Sequence, residues 1–169
     1  KKVTTIARTL VERLLPYFID ADYQCPEIGI AEEDGTGRII LNNFVSNQLA
    51  AMINEIPLQD GGIVLGSGEQ EQTFQVRVFK LYSPRNQKSK ISLVADRREV
   101  TDTAIHSFVP EFVDEFFEEG SAGGEDRDRN YIVKAYVFGP YLDANVSLER
   151  GGFDFPKGDD LLHPVSQAE

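Results

Sequence analysis

The chain has 169 residues and a formal net charge of −11, with 41% hydrophobic and 10% aromatic residues. This composition is typical of a folded domain rather than a disordered segment, and the length suits one domain. The negative charge makes the chain a poor general binder of nucleic acid or of anionic membranes, while one Cys and two His exclude an intrachain disulfide and a zinc site built from Cys and His alone.

The cysteine content and the ends of the chain indicate the expected cellular compartment and a longer parent protein. No apolar run approaches the ~20 residues that a membrane helix needs, and the first residues do not form a signal peptide. A single Cys is typical of the reducing cytoplasm, so we expect a cytoplasmic protein without a membrane partner. The first residue is not Met, and residues 166–169 match a helix-opening capping box. We therefore expect a domain excised from a longer protein, with a truncated helix beginning at 166–169.

The N-terminal segment predicts a helix. Residues 4–19 carry large apolar side chains at every fourth position, which places them on one face of a helix. Pro16 lacks an N–H group and should kink or divide the last turn. The predicted apolar face comprises Ile6, Leu10, Leu14 and Phe18, with Ala7, Val11 and Leu15 beside them.

Residues 27–42 predict a β-hairpin, because apolar residues flank a turn that contains Asp34 and Gly35. The turn sequence E-D-G-T-G nearly matches the nucleotide-binding motif D-x-G-x-G, but Glu33 occupies the first position and Asp-Gly is a common turn dipeptide. We interpret it as a turn. Residues 43–54 predict a short helix.

The rest of the chain predicts strands and a second long helix. Residues 74–82 alternate apolar and polar side chains in part, which is typical of a strand. The following predicted elements are a polar loop at 83–89, a strand at 91–95, a turn at 96–99, a helix at 101–118 bent by Pro110, a linker at 120–129 and a strand at 131–138. The pattern predicts an α+β fold, a two-layer arrangement with helices on one face of a β-sheet.

A calcium site is not predicted, although the sequence D-x-D-x-N occurs once. It comprises Asp126, Asp128 and Asn130. A calcium loop needs Gly at its sixth position and Glu at its twelfth, where this chain has Tyr131 and Val137. We expect no bound metal.

One window departs from the acidic background. Residues 77–98 hold seven Lys or Arg residues and one Asp, a net charge of +6. Two basic strands and their loop suit phosphates, whereas Lys and Arg on strands also prevent sheets from pairing edge to edge, and both interpretations stay open. The candidates for binding phosphate or nucleic acid are Arg85, Lys88, Lys90, Arg97 and Arg98.

The last feature is residues 143–155, which predict a strand, a glycine-containing loop and a closing strand. The loop presents Arg150, whose planar, permanently charged guanidinium suits a phosphate or another oxyanion. Gly151 and Gly152 follow it directly and are candidate hinges of the loop.

Three stretches together carry a family resemblance. F-Q-V-R-V at 74–78 leads to S-P-R at 83–85; I-S-L-V-A-D-R-R-E-V at 91–100 is similar to F-V-N-G-R-x-V; and D-A-N-V-S at 143–147, with F-D-F at 153–155, is similar to D-V-N-V-H and V-R-F. In this order they resemble the transducer domain of GHKL-group ATPases, the domain after the ATP site in MutL, DNA gyrase B and the related heat-shock chaperone.

The resemblance implies a fold with a left-handed βαβ layer, as in a small-subunit ribosomal protein. It implies a transducer-like domain over 1–165, with a leading helix and hairpin in 1–73 and the core in 74–165. The family's loop carries a Lys that reaches the γ-phosphate of ATP in the neighbouring domain, and Arg150 stands at the matching position. Ser147 and Leu148 replace the family's His-Pro, and the heat-shock branch uses an Arg for a comparable task.

The implied function is that of a non-catalytic domain in a larger ATPase, where Arg150 contacts the γ-phosphate and ATP-driven closure is relayed onward. The parent protein would bind ATP and Mg, and this chain would hold no cofactor. The implied partners are the N-terminal ATP-binding domain of the same chain, downstream domains and a second copy in a dimeric parent. The alternative is a stand-alone module that binds protein or nucleic acid through 77–98.

Overall fold

The computed structural model describes residues 3–20, 22–45, 52–118, 129–149 and 151–155. A mixed α+β fold is seen, in which short helices accompany a seven-stranded sheet. The coarse α+β prediction is therefore confirmed. Among the described helices, none is long and apolar enough to cross a membrane.

The N-terminal helix is divided, as Pro16 predicts. Helix α1 spans Val3–Arg13 and helix α2 spans Leu15–Ile19, with Pro16 in the first turn of α2. Of the predicted apolar residues, Ala7, Val11 and Leu15 are buried, whereas Ile6 is 42% exposed. One cause is Arg8, which is buried and donates from Nη2 to the carbonyl oxygens of Tyr82 and Ser83. The buried row comprises Ala7, Val11, Leu15 and Ile19.

The predicted hairpin is present. Strand β1 (Gly29–Ile30) pairs antiparallel with β2 (Ile39–Ile40). In the turn, Oδ1 of Asp34 accepts from the backbone N–H of Thr36 at 2.9 Å, so the E-D-G-T-G sequence forms a turn as interpreted.

The main sheet is built from seven strands: β3 Ile53–Ile56, β4 Gly62–Leu65, β5 Gln72–Tyr82, β6 Lys90–Ala95, β7 Arg98–Ala104, β8 Phe116–Glu118 and β9 Arg129–Phe138. It is mixed, with strand order β3-β5-β9-β6-β7; β4 also pairs with β5, and β8 with β9. Strands β6 and β9 pair in parallel, and the other pairs are antiparallel. The strand predictions at 74–82, 91–95 and 131–138 are confirmed.

The helix predicted over 101–118 is wrong. Residues up to Ala104 pair with β6, and the chain continues through 3₁₀ turns at Ile105–Ser107 and Pro110–Val113 into β8. The β-branched residues at the start of this segment favour a strand, and Pro110 cannot donate within a helix. Its apolar residues do not form one buried stripe, since Phe108 is 75% exposed.

Two shorter predictions also need correction. In place of a helix over 43–54, the structure has a 3₁₀ turn at Leu41–Phe44 and β3 from Ile53, with 46–51 outside the described residues. In place of a strand at 143–147, it has helix α3 over Pro140–Asn145, which Pro140 favours at its first turn. Of the predicted linker at 120–129, Arg129 begins β9 and residues 120–128 lie outside the described residues. The chain end at 166–169 also lies outside them.

Helices lie on both faces of the sheet, not on one as predicted. Neighbouring residues of a strand point to opposite faces, and Val94 packs in the cluster under α1 and α2 whereas Ala95 packs against α3. The larger cluster also contains Phe79 and Tyr136, and the smaller contains Leu142 of α3. This arrangement places α1 and α3 at opposite faces of the sheet.

Candidate functional site

Much of the basic window is paired with acidic side chains. Arg77 forms a two-pronged contact with Glu55, with N–O distances of 2.7 and 2.6 Å, and Nζ of Lys80 donates to Glu118 at 3.0 Å. Such pairs cancel most of the local positive charge. The +6 that the sequence gives to residues 77–98 is therefore not a free cationic surface.

The candidate cations of this window differ in their surroundings. Lys90 donates to Glu99 and to Oδ2 of Asp102, the latter at 2.6 Å. Nε of Arg97 lies 2.9 Å from Oδ2 of Asp20, and its guanidinium lies 4.3 Å from the ring centre of Tyr23.

The remaining three candidates are exposed, and the structure does not gather them into one patch. Lys88 donates from Nζ to the carbonyl oxygen of Val113 at 2.8 Å. Arg85 and Lys88 lie in the loop before β6, whereas Arg98 follows the turn after β6. A six-residue strand is about 20 Å long, so the two groups stand at opposite ends of it.

The loop singled out by the sequence is a short hairpin that follows α3. Its base is closed by a β-bridge between Val146 and Phe153, by a bond from Ser147 N to Gly152 O at 3.0 Å and by a bond from Asp154 N to Asn145 O at 2.8 Å. We call residues 146–153 the α3 hairpin. Its base is fixed by backbone pairing.

The tip of the α3 hairpin faces solvent. Leu148 is fully exposed, and a Cβ built on Gly151 or Gly152 meets no atom within 4 Å. Arg150 itself lies outside the described residues.

Aromatic rings and one polar contact anchor the hairpin. Tyr141 stacks on Phe155 at 5.5 Å between ring centres, and Phe153 stacks on Phe155 at 5.2 Å. Oδ1 of Asp143 in α3 accepts from the backbone N–H of Asp96, at 2.8 Å, in the turn between β6 and β7. The hairpin is thereby joined to the sheet through α3.

Comparisons of the chain with family models, with curated proteins and with solved structures give no significant match. The functional assignment therefore depends on the geometry of the chain and on the motif resemblance. Within the described ranges, no three His, Cys, Asp or Glu side chains group so as to hold a metal ion.

A second feature, which was not predicted above, is a cleft of about 740 Å³ between α1, the segment before β1 and the sheet. We call it the α1 cleft. Its polar lining includes Glu12, Gln87, Lys90, Glu99 and Lys134, together with Arg13 and Arg98. Its less polar lining includes Leu14, Tyr17, Tyr23, Pro26 and Ile28.

Hydrogen bonds connect α1 to the centre of the sheet along one wall of the cleft. The carboxylate of Glu12 accepts from Nε of Arg8 and from Nε2 of Gln87, each at 2.9 Å. Oε1 of Gln87 accepts from Nζ of Lys134 at 2.7 Å. A buried ammonium is thus held by a neutral amide rather than by a carboxylate.

Lys134 and Lys90 have opposite electrostatic surroundings. Lys134 is only 4% exposed, and burial, with a further contribution from the charge of Lys90, lowers the pKa of its amine. Burial alone would lower the pKa of Lys90, but hydrogen bonds to Asp102 and Glu99 outweigh it and raise that pKa. Two lysines with different protonation preferences therefore share one site.

Two buried hydroxyl groups lie next along the same strands, where Ser92 is opposite Tyr136 in the register of β6 and β9. Both residues are fully buried, and neither hydroxyl has a hydrogen-bond partner among the described residues. Burial, followed by the charges of Glu99 and Glu12, raises the pKa of Tyr136. The polar region thus continues beneath α1 as far as Tyr136.

The sequence carried a signal for this region. In I-V-K-A-Y-V, at 132–137, a Lys interrupts a strand that is apolar on both faces. A Lys at such a position is buried only if polar groups receive it, which points to a local polar network. Its partners come from α1 and from β6 and β7, and only the strand order reveals them.

Proposed function

We propose that this chain is the transducer domain of a larger GHKL-type ATPase, and that the tip of the α3 hairpin delivers Arg150 to the γ-phosphate of ATP bound by a neighbouring domain. The observation that carries the proposal is the hairpin with a closed base and an exposed tip. Backbone bonds between Ser147 and Gly152 and between Asp154 and Asn145 fix the base, while Leu148 is fully exposed.

This geometry suits a cation that acts across a domain boundary. A guanidinium at an exposed tip gains its full interaction only when a second domain brings a phosphate to it. It then stabilises the closed, ATP-bound arrangement more than the open one, and the nucleotide shifts the domain equilibrium by that difference. ATP and Mg would be bound by the neighbouring domain.

The left-handed βαβ topology implied by the resemblance is part of the same proposal. We take the parallel β6–β9 pair as the counterpart of the parallel strands in the family's left-handed βαβ layer. The described part of the crossover between them contains β7, two 3₁₀ turns and β8, with no α-helix in 105–118. The correspondence therefore rests on the strand arrangement and on the motif order.

A relay to later domains requires the hairpin to be coupled to the sheet. Asp143 bonds the backbone of Asp96, and Leu142 is buried with Phe74 and Ala95. A displacement of the hairpin is therefore transmitted through α3 to β5 and to the turn after β6. Movement of the tip would reach the sheet through rigid packing rather than through a flexible linker.

The nucleic-acid alternative has less support. Arg77, Lys80, Lys90 and Arg97 each lie within ion-pair distance of a carboxylate. A phosphate backbone would have to compete with those carboxylates for each cation. We therefore do not advance residues 77–98 as a nucleic-acid interface.

The test uses the full-length protein that carries this chain. Arg150→Ala should abolish ATP-driven domain closure, measured by fluorescence energy transfer between labels on the two domains, and should lower ATP turnover by about tenfold or more. Arg150→Lys should retain part of both, because a Lys still offers a cation. The matched control is Arg85→Ala, which removes an exposed cation remote from the hairpin. Normal closure in Arg150→Ala would show that the hairpin is not the phosphate-contacting element.

A further inference from the structure

We propose that the α1 cleft binds a small organic anion with an aromatic body, and that the ligand's carboxylate lies against Nζ of Lys134. This binding site is separate from the α3 hairpin and does not depend on the proposed role of Arg150. Three features of the cleft support it: the charge balance, the incomplete pairing of Lys134 and the apolar character of the opposite wall.

The charge balance around the cleft is positive in an otherwise acidic chain. The charged groups of α1, β6, β7 and β9 that line it or pair with its lining are five cations and three carboxylates, a net charge of +2 with Lys134 protonated. The cations are Arg8, Arg13, Lys90, Arg98 and Lys134, and the carboxylates are Glu12, Glu99 and Asp102.

The three carboxylates already have cationic or amide partners. Glu12 accepts from Arg8 and from Gln87. Glu99 and Asp102 both accept from Lys90. The cations that these pairs leave are Arg13, Arg98 and Lys134. Arg13 and Arg98 are exposed, whereas Lys134 is buried at the floor of the cleft.

Lys134 is suited to receive an anionic oxygen. An ammonium has three donors, and the bond to Oε1 of Gln87 uses one of them with an uncharged acceptor. Lys90 lies in the same register on the neighbouring strand and repels a protonated Lys134. A carboxylate at Nζ would offset that repulsion and form a charge-assisted hydrogen bond in a partly desolvated site.

The apolar wall of the cleft determines which body the ligand carries besides its carboxylate. Tyr17 and Tyr23 lie edge to face with ring centres 6.2 Å apart, and Leu14 and Ile28 line the cleft beside them. A cleft of about 740 Å³ lies within the size range of small-molecule sites. An aromatic ring fits this wall, and the carboxylate then points towards the floor.

Two probes of the same shape distinguish the contribution of charge to binding from the contribution of apolar contact. Binding of 2-naphthoate and of the uncharged 2-naphthamide is measured by calorimetry with the chain and with two variants. Lys134→Met removes the floor cation, and Lys88→Met removes an exposed cation outside the cleft lining. We expect wild type and Lys88→Met to bind 2-naphthoate equally, and Lys134→Met to bind it at least tenfold more weakly.

The uncharged probe provides the second comparison. We expect wild type to bind 2-naphthamide at least tenfold more weakly than 2-naphthoate. Equal binding of the two probes, equal binding of 2-naphthoate by wild type and Lys134→Met, or no binding of 2-naphthoate by wild type would each overturn the proposal. Should Lys134→Met fail to fold by circular dichroism, Lys134→Gln serves in its place, because it removes the charge and keeps a polar side chain.

Discussion

Lys90 and Lys134 lie opposite each other in the register of the parallel strands β6 and β9, yet among the described residues only Lys90 is paired with carboxylates. Lys90 bonds Glu99 and Asp102, whereas Lys134 bonds the neutral amide of Gln87 and is almost completely buried. Two like charges at neighbouring positions of a sheet destabilise it unless their surroundings compensate. Here carboxylates compensate the charge of Lys90, whereas Lys134 has only a neutral amide.

The first prediction compares the two lysines. Lys134→Met should leave stability unchanged or raise it by about 1 kcal/mol, because an apolar side chain of similar length removes a buried charge. Lys90→Met should lower it by about 1–2 kcal/mol, because it leaves two partly exposed carboxylates without their cation. Urea unfolding followed by circular dichroism measures both. A loss in Lys134→Met larger than that in Lys90→Met would contradict this account of the pair.

The second prediction concerns alkaline pH. The pKa of Lys134 is lowered from 10.5 in the folded state, by burial and then by Lys90, with Glu99, Glu12 and Asp102 opposing the shift. Between the lowered pKa and 10.5 the unfolded chain binds more protons than the folded chain, so this group makes the free energy of unfolding rise with pH.

Lys134→Met provides the reference for this effect. Other groups titrate in both proteins, so the difference in unfolding free energy between wild type and variant isolates Lys134. As the pH rises from 8 to 10, the free energy of unfolding of wild type should increase relative to that of Lys134→Met, measured by urea unfolding at each pH. A difference independent of pH would mean that Lys134 keeps its ordinary pKa.

The third prediction concerns the attachment of α1 to the sheet. Arg8 donates to the carbonyl oxygens of Tyr82 and Ser83 at the end of β5 and to Glu12 one helical turn away. Arg8→Ala should lower stability by about 2–3 kcal/mol, because two carbonyl groups at a partly buried position lose a charged donor. Arg13→Ala, an exposed change in the same helix, should cost less than about 0.5 kcal/mol and is the matched control. Equal losses of stability in Arg8→Ala and Arg13→Ala, measured by thermal unfolding, would show that Arg8 does not anchor α1 to the sheet.

The sequence predicted the parts of the fold that local rules govern. Strands β5 and β9 follow from alternating or continuous apolar residues, and the break between α1 and α2 follows from Pro16. The segment after β6 was mispredicted because its apolar spacing also fits a helix, and pairing with β6 outweighed that periodicity. The floor of the α1 cleft was missed for a related reason, since Lys90 and Lys134 are 44 residues apart in sequence and meet only through the parallel register.

The fourth prediction concerns acid. Hydrogen bonds from Tyr82 and then from Lys80 lower the pKa of Glu118 below its usual value of 4.5. A carboxyl group with a lowered folded pKa stabilises the protein above 4.5, and this contribution is lost as the pH falls through the folded value. Glu118→Gln should therefore be less stable than wild type at pH 7. The difference in free energy of unfolding between the two proteins should become smaller towards pH 3.

Tyr82 offers an independent measurement of the same contact. Burial, followed by the bond to Glu118, raises the pKa of Tyr82 to about 12. In Glu118→Gln the phenol should titrate at lower pH, measured by ultraviolet absorbance against Tyr82→Phe. An unchanged titration of Tyr82 would show that the contact with Glu118 does not exist in solution.

The fifth prediction tests how firmly the α3 hairpin is held. A Cβ at Gly139 would lie 2.9 Å from the carbonyl oxygen of Thr73 and 3.0 Å from a ring carbon of Phe74. The backbone at Gly139 is extended, with φ of 172°, so any cost of Gly139→Ala comes from crowding rather than from backbone strain. We expect this change to lower stability by about 1–2 kcal/mol and to move α3 away from β5.

Gly151→Ala is the matched control, because a Cβ there meets no atom within 4 Å. It should change stability by less than about 0.5 kcal/mol in the same urea experiment. Amide exchange then distinguishes local from global effects, since displacement of α3 should expose the N–H groups of Ser147 and Asp154 in Gly139→Ala and leave them protected in Gly151→Ala. Equal protection in both variants would mean that the base of the hairpin is held without the close packing of Gly139 on β5.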